Sequence, residues 1–280
     1  MRAPEDRYIR VGQFNTRYWA EGDHGSTVLL LHGIGAYIER WLPSLATLAT
    51  QHRVYAMDLL GHGRTDKPSS ATYSWEAAAQ FVKDFMAALK IERASLVGHS
   101  MGGGIALNMA LKFPAMVEKL VLVCSAGLGK DMPLAFRFVV VPVLGELITR
   151  LSRNGSARDL KTLVNGEAVL TGELFELHYQ MSAQPGAQQA LLKILRWGFT
   201  PFGPYERYHG PILRGLPSIH NPTLIVWGRQ DPYFPLAHAQ VAAKELPNAR
   251  LHIFDHCGHL PMLEHTQAFD ALLLEFLGSY

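Results

Sequence analysis

The chain has 280 residues, 48% of them hydrophobic and 18% charged, enough to bury a large core without a metal or a disulfide framework. Its formal net charge of +2, with lysines and arginines dispersed along the chain, excludes a nucleic-acid-binding stripe and makes a small molecule the expected partner. No apolar run is long enough to span a bilayer, so no stable membrane insertion is expected.

The opening residues, Met1 to Asp6, lack the apolar core of a secretory leader. Only Cys124 and Cys257 are present, too few for a disulfide framework, and a cytoplasmic setting is the corresponding expectation. Nothing in the composition excludes a homo-oligomer.

Tyr8 to Val11 and Thr16 to Trp19 read as an opening antiparallel hairpin, with Gly12 to Asn15 between them. Val28 to Leu31 is a continuous apolar run, as expected of a strand covered on both faces, and His32-Gly33-Ile34-Gly35 ends it. A helix is expected over Trp41 to Ala49, a second buried strand over Val54 to Met57, and a helix over Trp75 to Leu89 with Ser74 as its N-cap. Ala94 to Val97 and Leu120 to Val123 read as further buried strands around a helix from Ile105 to Phe113. Thr223 to Trp227 and Leu251 to Phe254 supply two more strands, with helices over Leu236 to Leu246 and Thr266 to Leu277. This alternation predicts a mostly parallel sheet with helices on both faces and reactive residues beyond the carboxyl ends of its strands.

The alternation breaks between Gly127 and Pro217. The interval holds helix-compatible material from Ser156 to Met181 and the aromatics Trp197, Phe199, Phe202, Tyr205 and Tyr208. Its length fits an inserted helical cap over residues 127–217, dividing the core into 1–126 and 218–280. Such a cap would favour an acyl or aromatic substrate and keep water out. The apolar phrase Phe136 to Val143 is expected to pack inside the cap; contact with a lipid surface is the alternative.

Val97-Gly98-His99-Ser100-Met101-Gly102 sets one serine on a strand-to-helix turn flanked by glycines, which makes Ser100 the candidate nucleophile. A serine hydroxyl needs a base, and His259, in a loop after the last core strand, is the leading one, ahead of His99 and His256. Asp231, after the preceding strand, is the leading acid to orient that imidazole, ahead of Asp255 and Glu264. The backbone N–H groups of Met101 and Ile34 are the candidate oxyanion donors, and His32 is expected to shape the loop that carries Ile34. No histidine spacing forms a metal motif, and Gly102-Gly103-Gly104 lacks a nucleotide fingerprint, so neither metal nor cofactor is expected.

These marks, with Asp58-Leu59-Leu60-Gly61-His62-Gly63, resemble the α/β-hydrolase family over roughly residues 8 to 280. The resemblance implies a mostly parallel central sheet, flanking helices, a helical cap, and a cycle of acyl transfer through Ser100, Asp231 and His259. Gly127-Leu128-Gly129 and the tail Arg250 to His259 also resemble the meta-cleavage-product hydrolases, which cleave a carbon–carbon bond in vinylogous diketones. Members of that group often carry Asn where His99 stands and Trp where Leu260 stands, and a cap arginine for the substrate carboxylate is missing unless Arg196 or Arg207 supplies it. On those departures the expectation is a carboxylesterase-like serine hydrolase of small esters, with carbon–carbon hydrolysis as the alternative.

Overall fold

The computed structural model describes residues 3–278; Met1 and Arg2 of the opening phrase, and positions 279–280 of the C-terminal core part, lie outside the described residues. β1 (Arg7–Val11) and β2 (Phe14–Glu21) form the expected hairpin, turned by Gly12 at φ +58°. The turn is tighter than the sequence suggests, because Phe14 and Asn15 already pair with Val11 and Arg10. There follow β3 (Thr27–Leu31), α1 (Leu42–Leu48), β4 (Arg53–Met57), α2 (Trp75–Ala88), β5 (Ala94–His99), α3 (Met101–Lys112) and β6 (Val117–Val123).

After β6 the chain leaves the sheet as α4 (Leu134–Val139), α5 (Leu144–Ile148), α6 (Arg153–Lys161), α7 (Gly172–Ser182) and α8 (Ala187–Gly198). A ribbon of β7 (Phe199–Thr200) and β8 (Gly203–Pro204) and then α9 (Glu206–Gly215) complete this helical cap region. The chain returns through β9 (Thr223–Gly228), α10 (Leu236–Glu245), β10 (Ala249–Phe254), α11 (Pro261–Glu264) and α12 (Thr266–Gly278).

The strand order is β1-β2-β4-β3-β5-β6-β9-β10, antiparallel over the first two pairings and parallel from β4 onward. Period-two alternation splits the strand side chains between two cores. Leu29, Leu31, Leu96, Leu120 and Leu122 pack on the side of α2 and α3, whereas Val28, Leu30, Val97, Val121 and Val123 pack on the side of α1 and α12. Each such fully buried aliphatic side chain contributes about 1.5–3 kcal/mol, so the sheet is a rigid platform for the loops at its carboxyl edge. Ser74 caps α2 as expected, its Oγ accepting from the Ala77 N–H at 3.1 Å.

The cap differs from the expectation in two places. The stretch 156–181 is broken between α6 and α7, because Ser152 and Thr171 each start a helix by accepting from Gly155 and Leu174 N–H groups. Phe136 and Val139 turn inward onto the cavity described below, but Phe138 and Val143 are exposed, so the Phe136 to Val143 phrase is packed on one side only. No helix of the described residues is long and apolar enough to cross a membrane. Cys124 and Cys257 are both free and buried; thiols shielded in this way mark no redox compartment, and the cytoplasmic expectation has no support in the structure.

Candidate active site

Ser100 sits between the end of β5 and the first residue of α3, with φ 53° and ψ −116°, a conformation that costs a non-glycine residue about 1–3 kcal/mol. The surroundings impose it. Ser100 N–H donates to the Val123 carbonyl at 2.9 Å, while its own carbonyl accepts from Gly103 at 2.9 Å and Ala126 at 3.0 Å. A Cβ on Gly98 would lie 2.4 Å from the Gly102 carbonyl, and one on Gly102 would lie 2.2 Å from the Leu31 carbonyl. That contact also explains why α3 begins at Met101 rather than at Ile105: a glycine run too poor in propensity to look helical is what lets the helix approach the strand.

Asp231 and His259 occupy the loops after β9 and β10, brought together where a Cβ on Gly228 would lie 1.9 Å from the Gly258 carbonyl. His259 Nδ1 donates to Asp231 Oδ2 at 2.8 Å, and the other carboxylate oxygen accepts from the N–H groups of Tyr233 at 2.7 Å and Phe234 at 3.1 Å. With Nδ1 so engaged, Nε2 is the imidazole nitrogen that remains for a proton. The ring is stacked on Tyr233 at 5.0 Å and met edge-on by Phe234 at 5.7 Å. Its backbone N–H donates to the Leu163 carbonyl of the cap region at 2.7 Å. Ser100 and His259 border one cavity, and among the described residues no hydrogen bond joins the two side chains in this arrangement.

The other sequence candidates have different surroundings. His99 is buried, its Nε2–H donating to the His259 carbonyl at 2.8 Å; burial, reinforced by the neighbouring His259, pushes its pKa well below the usual value. His256 and Asp255 are exposed, Asp255 pairing with Arg229. Glu264 accepts from Gly258 N–H at 2.9 Å and Asn165 N–H at 2.7 Å, tying the histidine loop to the cap. His32 donates from Nδ1 to the Gly33 carbonyl at 2.7 Å and accepts at Nε2 from Leu59 N–H at 3.0 Å, so it joins the loops after β3 and β4; burial lowers its pKa to about 4. Ile34 and Met101 border the same cavity as Ser100, and Met101 N–H is among the first of α3, which have no acceptor in their own helix.

Beneath the site, Asp58 accepts from Ile38 and Arg64 N–H groups at 2.8 Å each and meets the buried Arg17 at 3.2 Å. Gly63 is glycine because its φ is +50° and a Cβ there would lie 2.1 Å from that carboxylate.

The cavity has a volume of about 790 Å³. Apolar cap side chains, among them Phe136, Val139, Ile194 and Trp197, line it together with Ser100. Arg196 and Arg207 do not border it: Arg196 pairs with Glu146 at 2.8 Å, and Arg207 donates to the Trp197 carbonyl at 2.8 Å. Two arginines do, neither singled out from the sequence: Arg40, which is buried, and Arg158, which is exposed. Cys124 was also missed. Its thiol lies with the Asp231 and His259 ligand atoms inside a 4.8 Å cluster, its pKa driven well up by burial and then by the Asp231 charge. The aromatic pair two and three residues after Asp231 was a readable signal for Tyr233 and Phe234; nothing local marked Arg40 or Cys124.

Residues 26–266 match the sequence model of the alpha/beta hydrolase fold. The chain is 31% identical to a 2-hydroxymuconate semialdehyde hydrolase of a Pseudomonas species, over 91% of this chain and 87% of that protein. It is also 31% identical to a 2-hydroxy-6-oxo-6-phenylhexa-2,4-dienoate hydrolase of Burkholderia cepacia, over 92% and 90% respectively. A solved meta-cleavage product hydrolase from Pseudomonas fluorescens superposes with a TM-score of 0.83 at 29% identity, covering 97% of each chain. These likenesses correct the carboxylesterase expectation. The departures at His99 and Leu260 do not mark a simple esterase, because they sit within near-full-length similarity to proteins named for hydroxy-oxo-dienoates.

Proposed function

Because the chain belongs to the alpha/beta hydrolase fold family, we propose that this enzyme hydrolyses a carbon–carbon bond in 2-hydroxy-6-oxo-hexa-2,4-dienoates, with residues 127–217 as its cap. The observation that carries the reading is the near-full-length likeness to relatives named for such substrates. The apolar cavity of about 790 Å³ supports it, being roomy enough for a six-carbon chain with an aryl group.

In the keto tautomer of such a substrate, C6 is an electrophilic carbonyl and the C5–C6 bond is conjugated, through C3=C4, to the carbonyl at C2. Ser100 Oγ adds to C6 while His259 Nε2 takes the hydroxyl proton, and Asp231 holds the imidazolium through Nδ1. The N–H groups of Ile34 and Met101 are assigned to the oxygen that becomes negative. Collapse breaks C5–C6. The electron pair moves onto the C2 oxygen as an enolate, which receives the proton held by His259, and the C6 acyl group stays on Ser100. Water then attacks that ester as His259 removes its proton, and the proton returns to Ser100 as the carboxylic acid leaves.

The test is turnover of 2-hydroxymuconate semialdehyde and the phenyl dienoate, followed by loss of dienolate absorbance, beside a panel of short and medium acyl esters. Turnover of a dienoate, abolished in Ser100→Ala, is expected. Ester turnover faster by orders of magnitude, or dienoate turnover that survives the serine substitution, would refute the proposal.

A further inference from the structure

The loop that carries His259 is clamped by a group outside the triad. Gly258 and Leu260, on either side of the histidine, both donate their backbone N–H groups to Glu264 Oε1, at 2.9 and 3.3 Å. The N–H between them, that of His259 itself, donates to the Leu163 carbonyl at 2.7 Å. Three consecutive backbone donors are thus committed, and the chain beneath the imidazole cannot shift without leaving some of them unpaired. The sequence makes Glu264 an alternative to Asp231 as the orienting acid, yet its carboxylate takes the backbone of the loop, while Asp231 takes the imidazole.

The second carboxylate oxygen reaches the cap: Glu264 Oε2 accepts from Asn165 N–H at 2.7 Å. The approach is close because Gly258 has no side chain, and a Cβ there would lie 2.8 Å from both the Asn165 nitrogen and the Leu163 carbonyl oxygen. Glu264 is held from behind, since it ends α11, and Leu260 and Met262 just before it are buried in the core on the side of α1 and α12. On the cap side, Thr162 and Leu163 border the cavity. The stretch of cap chain that meets the substrate volume therefore also meets the loop of the base.

We infer that Glu264 is a positioning residue, which sets His259 Nε2 against Ser100 Oγ and links the seating of cap residues 162–165 to that base. A carboxylate suits the task because both of its oxygens only accept, and hydrogen bonds to an ionised acceptor are about twice as strong as neutral ones. An amide in its place would turn an NH2 donor toward either the two loop N–H groups or Asn165 N–H, leaving that side without an acceptor. The imidazole and the Ser100 hydroxyl border one cavity without being hydrogen-bonded to each other, so small displacements of this loop decide whether the proton can pass.

The inference rests on His259 serving Ser100 as its base, and not on which bond of the substrate breaks. The test is therefore labelling by an alkyl fluorophosphonate, in which Ser100 Oγ bonds to phosphorus, fluoride leaves, and the hydroxyl proton passes to His259 Nε2; Ser100→Ala protein is the blank. Glu264→Gln should slow labelling about 30-fold. It should lower kcat by a similar factor on whichever substrate is turned over, phenyl dienoate or short acyl ester, with KM within about 3-fold. Glu264→Asp, which keeps the charge on a shorter side chain, should recover part of the loss. Hydrogen exchange in the Gln variant should quicken at Asn165 together with Gly258 and Leu260, the two ends of one clamp. Thermal unfolding verifies that each variant is folded, and the Asp variant carries the test where the Gln variant is not.

Labelling and kcat that stay near native values, or a raised KM with kcat preserved, would make Glu264 a structural contact and overturn the inference. So would failure of both variants to fold, or a native protein that the fluorophosphonate does not label. Exchange that quickens at the histidine loop alone would overturn the link to the cap. Labelling that depends on Glu264 in an enzyme that leaves the dienoates untouched sinks the carbon–carbon reading and leaves the clamp; dienoate turnover indifferent to Glu264→Gln sinks the clamp and leaves the reading.

Discussion

The core loops and the cap face each other across one cavity but are held by different forces. Ser100, Asp231 and His259 are fixed by backbone hydrogen bonds and by glycines that admit no Cβ, whereas the cap closes the cavity with apolar side chains such as Phe136 and Trp197. On the proposed reading, chemistry that needs atoms placed to a fraction of an ångström would reside on the rigid side, and selection among substrates on the side that tolerates repacking. The comparison predicts that substitutions in the two regions will separate kinetically: core changes should lower kcat, and cap changes should move KM.

The largest expected effect is at Asp231. Asp231→Asn keeps the shape but presents a neutral amide to His259 Nδ1 in place of the carboxylate 2.8 Å away. A loss of kcat of about 10⁴-fold is expected with little change in KM, as in comparable triads. Steady-state kinetics on the phenyl dienoate gives the answer; a fall of less than 10-fold would place the orienting acid elsewhere.

Next in size is a pH effect at the loops after β3 and β4 of the core. His32 and His62 are buried, with pKa values lowered by burial to about 4 and about 3. Both are neutral in the folded protein, whereas in the unfolded chain they bind a proton near pH 6.5. Their stability contribution is therefore complete above pH 6.5 and is lost as pH falls toward the folded values. From His32 alone the loss between pH 6.5 and 4 is on the order of 3 kcal/mol. Urea unfolding at pH 6.5, 5.5 and 4.5 should show this decline, with a shallower slope in His32→Gln; a flat profile would contradict it.

These two regions were also unequally legible in the sequence. The core could be read because its signals are local: continuous apolar runs marked β3, β4 and β6, and glycines two residues on either side of Ser100 marked the turn. Asp231 and His259 were readable because each follows a strand whose neighbour in the sheet is determined by the alternation. The cap was not, since its packing depends on which face of each short amphipathic helix meets the core. Phe136 and Phe138 look equivalent in sequence, yet one borders the cavity and the other is exposed. Arg40 escaped notice for the same reason: an arginine followed by tryptophan and leucine reads as a surface position, and only the fold shows it buried. Propensity misplaced the start of α3, where close packing against Leu31 outweighs the cost of three glycines.

A smaller effect should come from the cap wall. Trp197 borders the cavity, its ring 5.6 Å from that of Trp75. Trp197→Leu shortens the wall without adding a polar group, so KM for the phenyl dienoate should rise about 10-fold, kcat should stay within about 3-fold, and 2-hydroxymuconate semialdehyde should be less affected. A collapse of kcat instead would mean that the cap shapes the reacting geometry and would erase the proposed division.

The smallest effect sharpens the comparison most directly, because it uses the same chemical change in both regions. Ser74 caps α2 in the core and Ser152 caps α6 in the cap, each through one hydrogen bond from a backbone N–H three residues on, at 3.1 and 3.0 Å. Serine to alanine should cost about 1 kcal/mol at either site. In α2, packed against the sheet, the cost should appear as a lower global unfolding free energy and weaken hydrogen-exchange protection throughout the core. In α6 it should appear as faster exchange in α6 and α7 while β5 and β6 stay unchanged, since a cap held mainly by side-chain packing can open without unfolding the sheet. Identical exchange changes in the two variants would show that cap and core unfold as one unit, and the tether from His259 N–H to the Leu163 carbonyl at 2.7 Å would then be the first contact to credit for it.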